Sequence, residues 1–228
     1  MPSAKGNTAR TAPPEERRKQ LIDATISVIG EAGISGATLP EITRRAGLSL
    51  GLVNFHFGSK DGLIRAVLMA LAEEHRDMWQ VQAGRGDLSP AGKIGAVVEA
   101  QFHPRICNRR KLAVWFAFFG NPMHRKSYRT TATGIDDERM AVVTDLCTGI
   151  ISEGDYSGVV ARDVAATLEG LFDGLWLNIL MYPDRFSAEG AKAKVFAYLA
   201  AIFPAHFGGH QVSGKVSSRR EIRRVSRS

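Results

Sequence analysis

The chain has 228 residues, enough for one large domain or two small ones around a real hydrophobic core. Hydrophobic residues make up 44% and charged residues 23%, which excludes a disordered chain. The two cysteines, Cys107 and Cys147, lack CxxC spacing, which excludes a disulfide framework and a cysteine-only zinc site. Of the net charge of +7, residues 1–20 carry +3 and residues 208–228 carry +5, which leaves −1 for residues 21–207. Basic ends on a nearly neutral body suit a polyanion, or simply solubility. No apolar run approaches the ~20 residues of a membrane span. The opening residues lack the apolar stretch of a secretory signal. A reducing cytoplasm is therefore expected, with no membrane partner.

In chain order, residues 1–14 read as a flexible arm with Pro2, Pro13 and Pro14. A helix opens at Glu15, with Leu21, Thr25, Val28, Ile29 and Ala32 at three- and four-residue steps and Gly33 as its stop. Thr38-Leu39-Pro40-Glu41 has the form of a capping box and starts a short helix over 39–45. Gly47 can turn the chain, Ser49 can cap a second short helix to about His56, and a longer helix runs from Ser59 or Lys60 to about Gln82. Ser89-Pro90 starts a helix that ends near Pro104, and segments 108–119, 123–152, 161–181 and 187–203 follow. No convincing alternating strand interrupts them. The expectation is an all-α fold of about nine helices, ending in a disordered basic tail over 208–228.

Two short helices joined by a glycine turn, behind a longer helix, describe a helix-turn-helix. Ile42, Ala46, Leu48 and Val53 can form its apolar seam, which turns Ser49, Leu50, Asn54 and Phe55 toward a major groove. Thr38 through Ile42, Ala46 through Ser49, Gly51, Phe57, Lys60 and Leu63 resemble the DNA-binding signature of TetR-family repressors. The segments Leu112–Phe118, Pro122-Met123 and Glu169–Leu177 resemble the BetI-type, choline-responsive branch. The likeness spans about residues 15–205 and implies a DNA-binding domain over 15–64 and an effector-binding and dimerisation domain over 65–207.

Asn54 can read adenine, and Leu50 can touch a thymine methyl, though the family more often has tyrosine and a basic or hydroxyl residue there. Thr38, His56 and Lys60 stand at helix ends, where phosphate is favoured. Either Phe55 or His56 can instead pack under the recognition helix. Trp115, Phe116, Phe119, Phe172 and Trp176, with Asp173, combine aromatic faces and a carboxylate, which is how a quaternary ammonium is held. Large core residues at helical spacing are the alternative. The stripes Val164, Leu168, Leu171, Leu175, Ile179 and Val195, Leu199, Ile202 suit an interface or the protomer's own core, and the resemblance implies a four-helix homodimer contact.

Three other patterns carry less. Gly47-x-Ser49-x-Gly51 has the spacing of a nucleophile elbow but follows a capped polar helix rather than a strand. Gly84-x-Gly86 lacks a third glycine. His103 and Cys107 are separated by Pro104, which spoils their helical alignment for a metal. The reading is a DNA-binding repressor with no catalytic residues, metal or cofactor. The partners expected are an operator duplex, a small-molecule effector and a second copy of the chain. A small all-α enzyme and a non-sequence-specific nucleic-acid-binding protein are the rivals.

Overall fold

A computed structural model describes residues 13–209 except Asn121, with the side chains of residues 122–132 left out of the description. Most of the expected arm and nearly all of the expected basic tail therefore lie outside the described residues. Ten helices and no strand occur among those described. They are α1 (Pro14–Gly36), α2 (Leu39–Ala46), α3 (Leu50–Phe57), α4 (Lys60–Ala83), α5 (Pro90–Gln101), α6 (Arg109–Gly120), α7 (Pro122–Gly154), α8 (Ala161–Met181), α9 (Ala188–Ile202) and α10 (Pro204–Phe207). The tenth is a single turn that the sequence pattern does not announce. It docks Phe207 into the core, where Phe207 is 3% exposed.

Local chemistry sets the boundaries. α1 is broken at Gly33 (φ 70°, ψ 175°), the position expected to stop it. Thr38 caps α2, its hydroxyl accepting the Glu41 N–H at 3.4 Å. The reciprocal half of the capping box does not form. The Glu41 carboxylate instead accepts from Arg44 at 2.6 and 2.9 Å and from Arg45 at 3.4 Å, and the Thr38 N–H donates to Gly36 O. Gly47 sits in the left-handed region (φ 66°, ψ 28°) and turns the chain between α2 and α3, a conformation that a side chain would strain.

α1 to α4 form the N-terminal unit, with Leu21, Ile42, Val53 and Leu63 fully buried at its centre. α4 continues into the second unit, where it packs on α5 and α7, and α7 packs on α8. The most extensive contact between the units runs along α1 and α6. α6 thus touches the N-terminal unit at one end and brings Trp115 and Phe118 into the larger core at the other.

Candidate functional sites

The α2–α3 pair carries the first site. Ile42 and Val53 are fully buried, and Ala46 and Leu48 are half-buried against the same core, so the expected seam forms. Its consequence is an outward face on α3 made of Leu50, Gly51, Asn54 and Phe55, with Ser49 exposed just before it. Phe55 is 76% exposed and does not pack under its helix. Phe57 fills that role, half-buried against the core with the Arg18 guanidinium 5.5 Å from its ring centre. His56 is half-buried and meets Phe55 edge-on, ring centres 4.9 Å apart.

Three helix starts lie around this face. Thr38 caps α2, Ser49 precedes α3 without a capping bond from its side chain, and Lys60 opens α4 behind Ser59, whose hydroxyl takes the Gly62 N–H at 3.0 Å. Their first-turn N–H groups and helix dipoles suit an anion. Gly47-x-Ser49-x-Gly51 lies in this surface turn between two helices, with no strand before it, and a nucleophile elbow is not formed. The basic residues of α1 are partly engaged already, Arg18 on Phe57 and Lys19 on Asp23 at 2.7 Å.

The second site is a cavity of about 30 Å³ between α4, α5, α6, α7 and α8. Trp115, Phe119, Phe172, Asp173 and Trp176 line it, as the sequence suggested. Phe116 does not; it stands edge-on to Phe119, ring centres 5.6 Å apart, outside the lining. Five further lining residues have no sequence signal of comparable strength: His75, Gln101, Asp136, Arg139 and Glu169.

These residues set the cavity's charge. Arg139, 8% exposed, bonds both oxygens of Glu169 at 2.5 to 3.0 Å and reaches Asp136 at 3.2 Å. Asp173 forms no ion pair among the described residues. Desolvation first, then the neighbouring Glu169, pushes its carboxyl up to about 6, against the pull of Arg139. His75 is buried and pushed down to about 3, chiefly by desolvation and then by Arg139, so it is neutral. Three carboxylates therefore face one guanidinium beside the aromatic walls, with Asp173 at the exposed rim. The Trp176 indole N–H donates to Gln101 O at 3.0 Å, and its ring lies 5.3 Å from that of His75, which fixes the largest aromatic face.

A third feature is the outer side of α8. Val164, Leu168 and Leu175, with Val195 and Leu199 of α9, are buried within the protomer, so most of the two stripes close its own core. The unpartnered side of α8 is a different row, Ala166, Gly170, Gly174, Leu177 and Met181, all exposed. Among the described helices, α8 alone is long and apolar enough to cross a membrane, contrary to the expectation that no run approaches that length. A third of it is buried in the protein, and Glu169 and Asp173 line the cavity midway along it. Core on one side and an apolar row on the other account for its composition. His103, meanwhile, serves its own loop, accepting the Arg105 N–H at 3.2 Å through Nδ1.

Two family models match the chain. Residues 21–67 match the family model of bacterial regulatory proteins of the tetR family, and residues 90–204 match that of the BetI-type transcriptional repressor C-terminal domain. The HTH-type transcriptional regulator BetI of Paraburkholderia phytofirmans is 34% identical over 184 residues, 78% of this chain and 88% of its own. BetI of Paraburkholderia xenovorans is 34% identical over 194 residues, covering 81% and 92%. Among solved structures, a Pseudomonas aeruginosa PAO1 protein assigned to the transcriptional regulators superposes with a TM-score of 0.75 at 24% identity, over 87% of this chain and 96% of its own. A Saccharomonospora viridis protein crystallised in complex with choline gives 0.69 at 18% identity, over 81% and 96%. The chain belongs to the TetR family of helix-turn-helix transcriptional regulators and carries a BetI-type repressor C-terminal domain.

Proposed function

We propose that the chain is a homodimeric, cytoplasmic repressor that leaves its operator when choline or betaine aldehyde enters the α4–α8 cavity. The observation that carries this reading is the cavity's composition: four aromatic side chains and an excess of two carboxylates over guanidinium. A trimethylammonium group gains about 0.5–2 kcal/mol from each good aromatic face. The unpaired Asp173 supplies the charge that a hydrogen-bonding cation pocket would otherwise supply through direct contact. The choline bound by the S. viridis protein, which shares this fold, supports the same ligand class.

The cavity, partly open at Asp173, is tight for a trimethylammonium group, so entry parts its walls. Trp115 and Phe119 ride on α6, whose other end packs on α1. Displacing α6 therefore moves the N-terminal unit. In a dimer joined through the exposed α8 row, the two α3 helices must meet half-sites ~34–36 Å apart, and a small displacement spoils that match. Coupling of about 1–3 kcal/mol would weaken operator binding roughly 5–150-fold. The deciding experiment titrates choline into purified protein and into its operator complex. Heat together with operator release is expected, and no response to choline or betaine aldehyde would sink the effector assignment.

The Asp173 carboxyl gives this titration a pH signature. Charged above about 6 and neutral below, it attracts a cation only on the basic side. Choline affinity should fall several-fold between pH 7.5 and 5, and Asp173→Asn should flatten that profile. In the free protein the sign is opposite. Its raised value means Asp173 adds stability below the usual carboxylate range, which is lost as pH rises through about 6.

On the DNA side, Thr38, His56 and Lys60 are proposed to hold phosphates, and Ser49, Leu50, Asn54 and Phe55 to face the bases. Lys60→Ala should weaken specific and random duplexes alike and reduce the salt slope by about one. Asn54→Ala should cost ~1–3 kcal/mol at one base pair and relax preference there. Equal losses on every sequence from both variants would remove Asn54 from base readout.

A further inference from the structure

The cavity contains a second recognition element that neither its aromatic walls nor its carboxylates use. Gln101 ends α5 and is 1% exposed. Its Oε1 lies 2.7 Å from His75 Nε2. Because an amide oxygen faces this ring nitrogen, the N–H of the neutral imidazole sits on Nε2 and donates to that oxygen. The amide is thereby oriented, with Nε2 as its remaining end. That nitrogen is buried and has no hydrogen-bond partner, although Gln101 lines the cavity. The other edge of the residue is fixed too, because its carbonyl oxygen accepts from the Trp176 indole.

Buried amide N–H groups without an acceptor are costly, and they are rare in folded proteins. Here the residue that carries the unused donor lines the same cavity as the charged and aromatic groups. We propose that Gln101 is a specificity-determining residue, whose Nε2 donates to an oxygen on the effector while the aromatic and acidic groups hold its ammonium. This rests on the cationic-effector reading and narrows it to a quaternary ammonium bearing a neutral oxygen acceptor a few bonds from nitrogen. His75 is a positioning residue in this scheme, acting only through the amide it orients. A cation with only alkyl arms leaves the Gln101 donor unmet and loses by that cost.

Calorimetry on the purified full chain tests this with two cations of similar shape, choline and ethyltrimethylammonium. Wild type should prefer choline by about tenfold or more. Gln101→Met keeps the volume and removes the donor, and it should abolish the preference while retaining ethyltrimethylammonium binding. Gln101→Glu covers the case in which the methionine variant does not fold, since it keeps an oxygen for His75 and exchanges the donor for an acceptor. It should still take choline, whose hydroxyl can donate, but discriminate against O-methylcholine, which wild type accepts. Equal affinity of wild type for choline and ethyltrimethylammonium would overturn the role of Gln101 alone. So would a Gln101→Met variant that keeps the wild-type preference for choline, or a Gln101→Glu variant that still accepts O-methylcholine. Absence of heat from every cation would overturn both this inference and the reading on which it rests.

Discussion

Arg139→Met should lower stability by about 3–5 kcal/mol and yet tighten choline binding. The guanidinium is almost wholly buried and closes a bidentate pair with Glu169 across α7 and α8, with Asp136 as its third contact. Removing one member of a buried ion pair strands the other without its compensation, whereas an exposed pair is worth only about 0–1 kcal/mol. At roughly 2–4 °C per kcal/mol for a chain of this size, Tm should drop by about 6–20 °C. Adding Glu169→Gln to the same chain should recover much of that loss, because only the more exposed Asp136 carboxylate then remains at the contact. The opposite effect on choline follows from the charge count. Without Arg139 the cavity keeps all three carboxylates and no fixed cation, so a bound ammonium gains attraction. Thermal melts of the single and double variants, with calorimetry at a temperature where both are folded, separate the two effects. A fall in stability of less than 1 kcal/mol would mean the pair behaves as a surface contact. A loss of choline affinity would mean the cavity does not work by net negative charge.

The sequence makes this architecture legible where the deciding interactions are local. Thr38, Gly47 and Ser59 act through backbone groups within three or four residues of themselves, and each sits where the pattern places it. The aromatic wall is legible for a related reason. Phe172 and Trp176 are one helical turn apart, and so are Trp115 and Phe119, so each pair falls on one face. The polar half of the cavity is another matter. His75, Gln101 and Arg139 come from α4, α5 and α7, and the His75–Gln101, Arg139–Glu169 and Gln101–Trp176 pairs join residues 26, 30 and 75 apart in sequence. No periodicity within one helix announces a pairing of that kind.

The α8 stripe shows a different limit. Helical spacing identifies an apolar face but does not say whether it meets its own chain or another copy, and α8 has two such faces. The buried one has the larger residues and dominates the pattern. The exposed row, with Gly170 and Gly174 at its centre, is marked instead by small size, which permits close approach of a second helix. Glu41 illustrates a third limit. The spacing for a capping box is present, but two arginines on the same short helix and its neighbourhood compete for the carboxylate and take it.

Gly30→Ala should disturb the repressor far more than a single methyl on a helix surface would. α1 and α6 approach so closely at this point that a Cβ would lie 2.8 Å from Arg110 Cγ, 3.2 Å from its carbonyl oxygen and 3.4 Å from its Cα. Turning the Arg110 side chain relieves the 2.8 Å contact, but the 3.2 Å approach to its carbonyl oxygen is to backbone and remains. The start of α6 must move off α1, at a cost of about 1–3 kcal/mol for overpacking. Gly134→Ala provides the control, since the new methyl meets nothing within 4 Å. There the substitution should stabilise α7 by about 0.5–1 kcal/mol through helix propensity alone. The functional consequence follows from what α6 carries at its other end, Trp115 and Phe119 in the cavity wall. If the effector acts by shifting α6 against α1, a methyl wedged into that contact imitates part of the shift. Operator affinity without choline should then fall several-fold, and choline should release the variant by a smaller further factor than it releases wild type. Fluorescence anisotropy on a labelled operator, with and without choline, measures both quantities in one titration series. Wild-type operator affinity and wild-type release in Gly30→Ala would show that the α1–α6 contact is packing alone and that the signal travels by another helix.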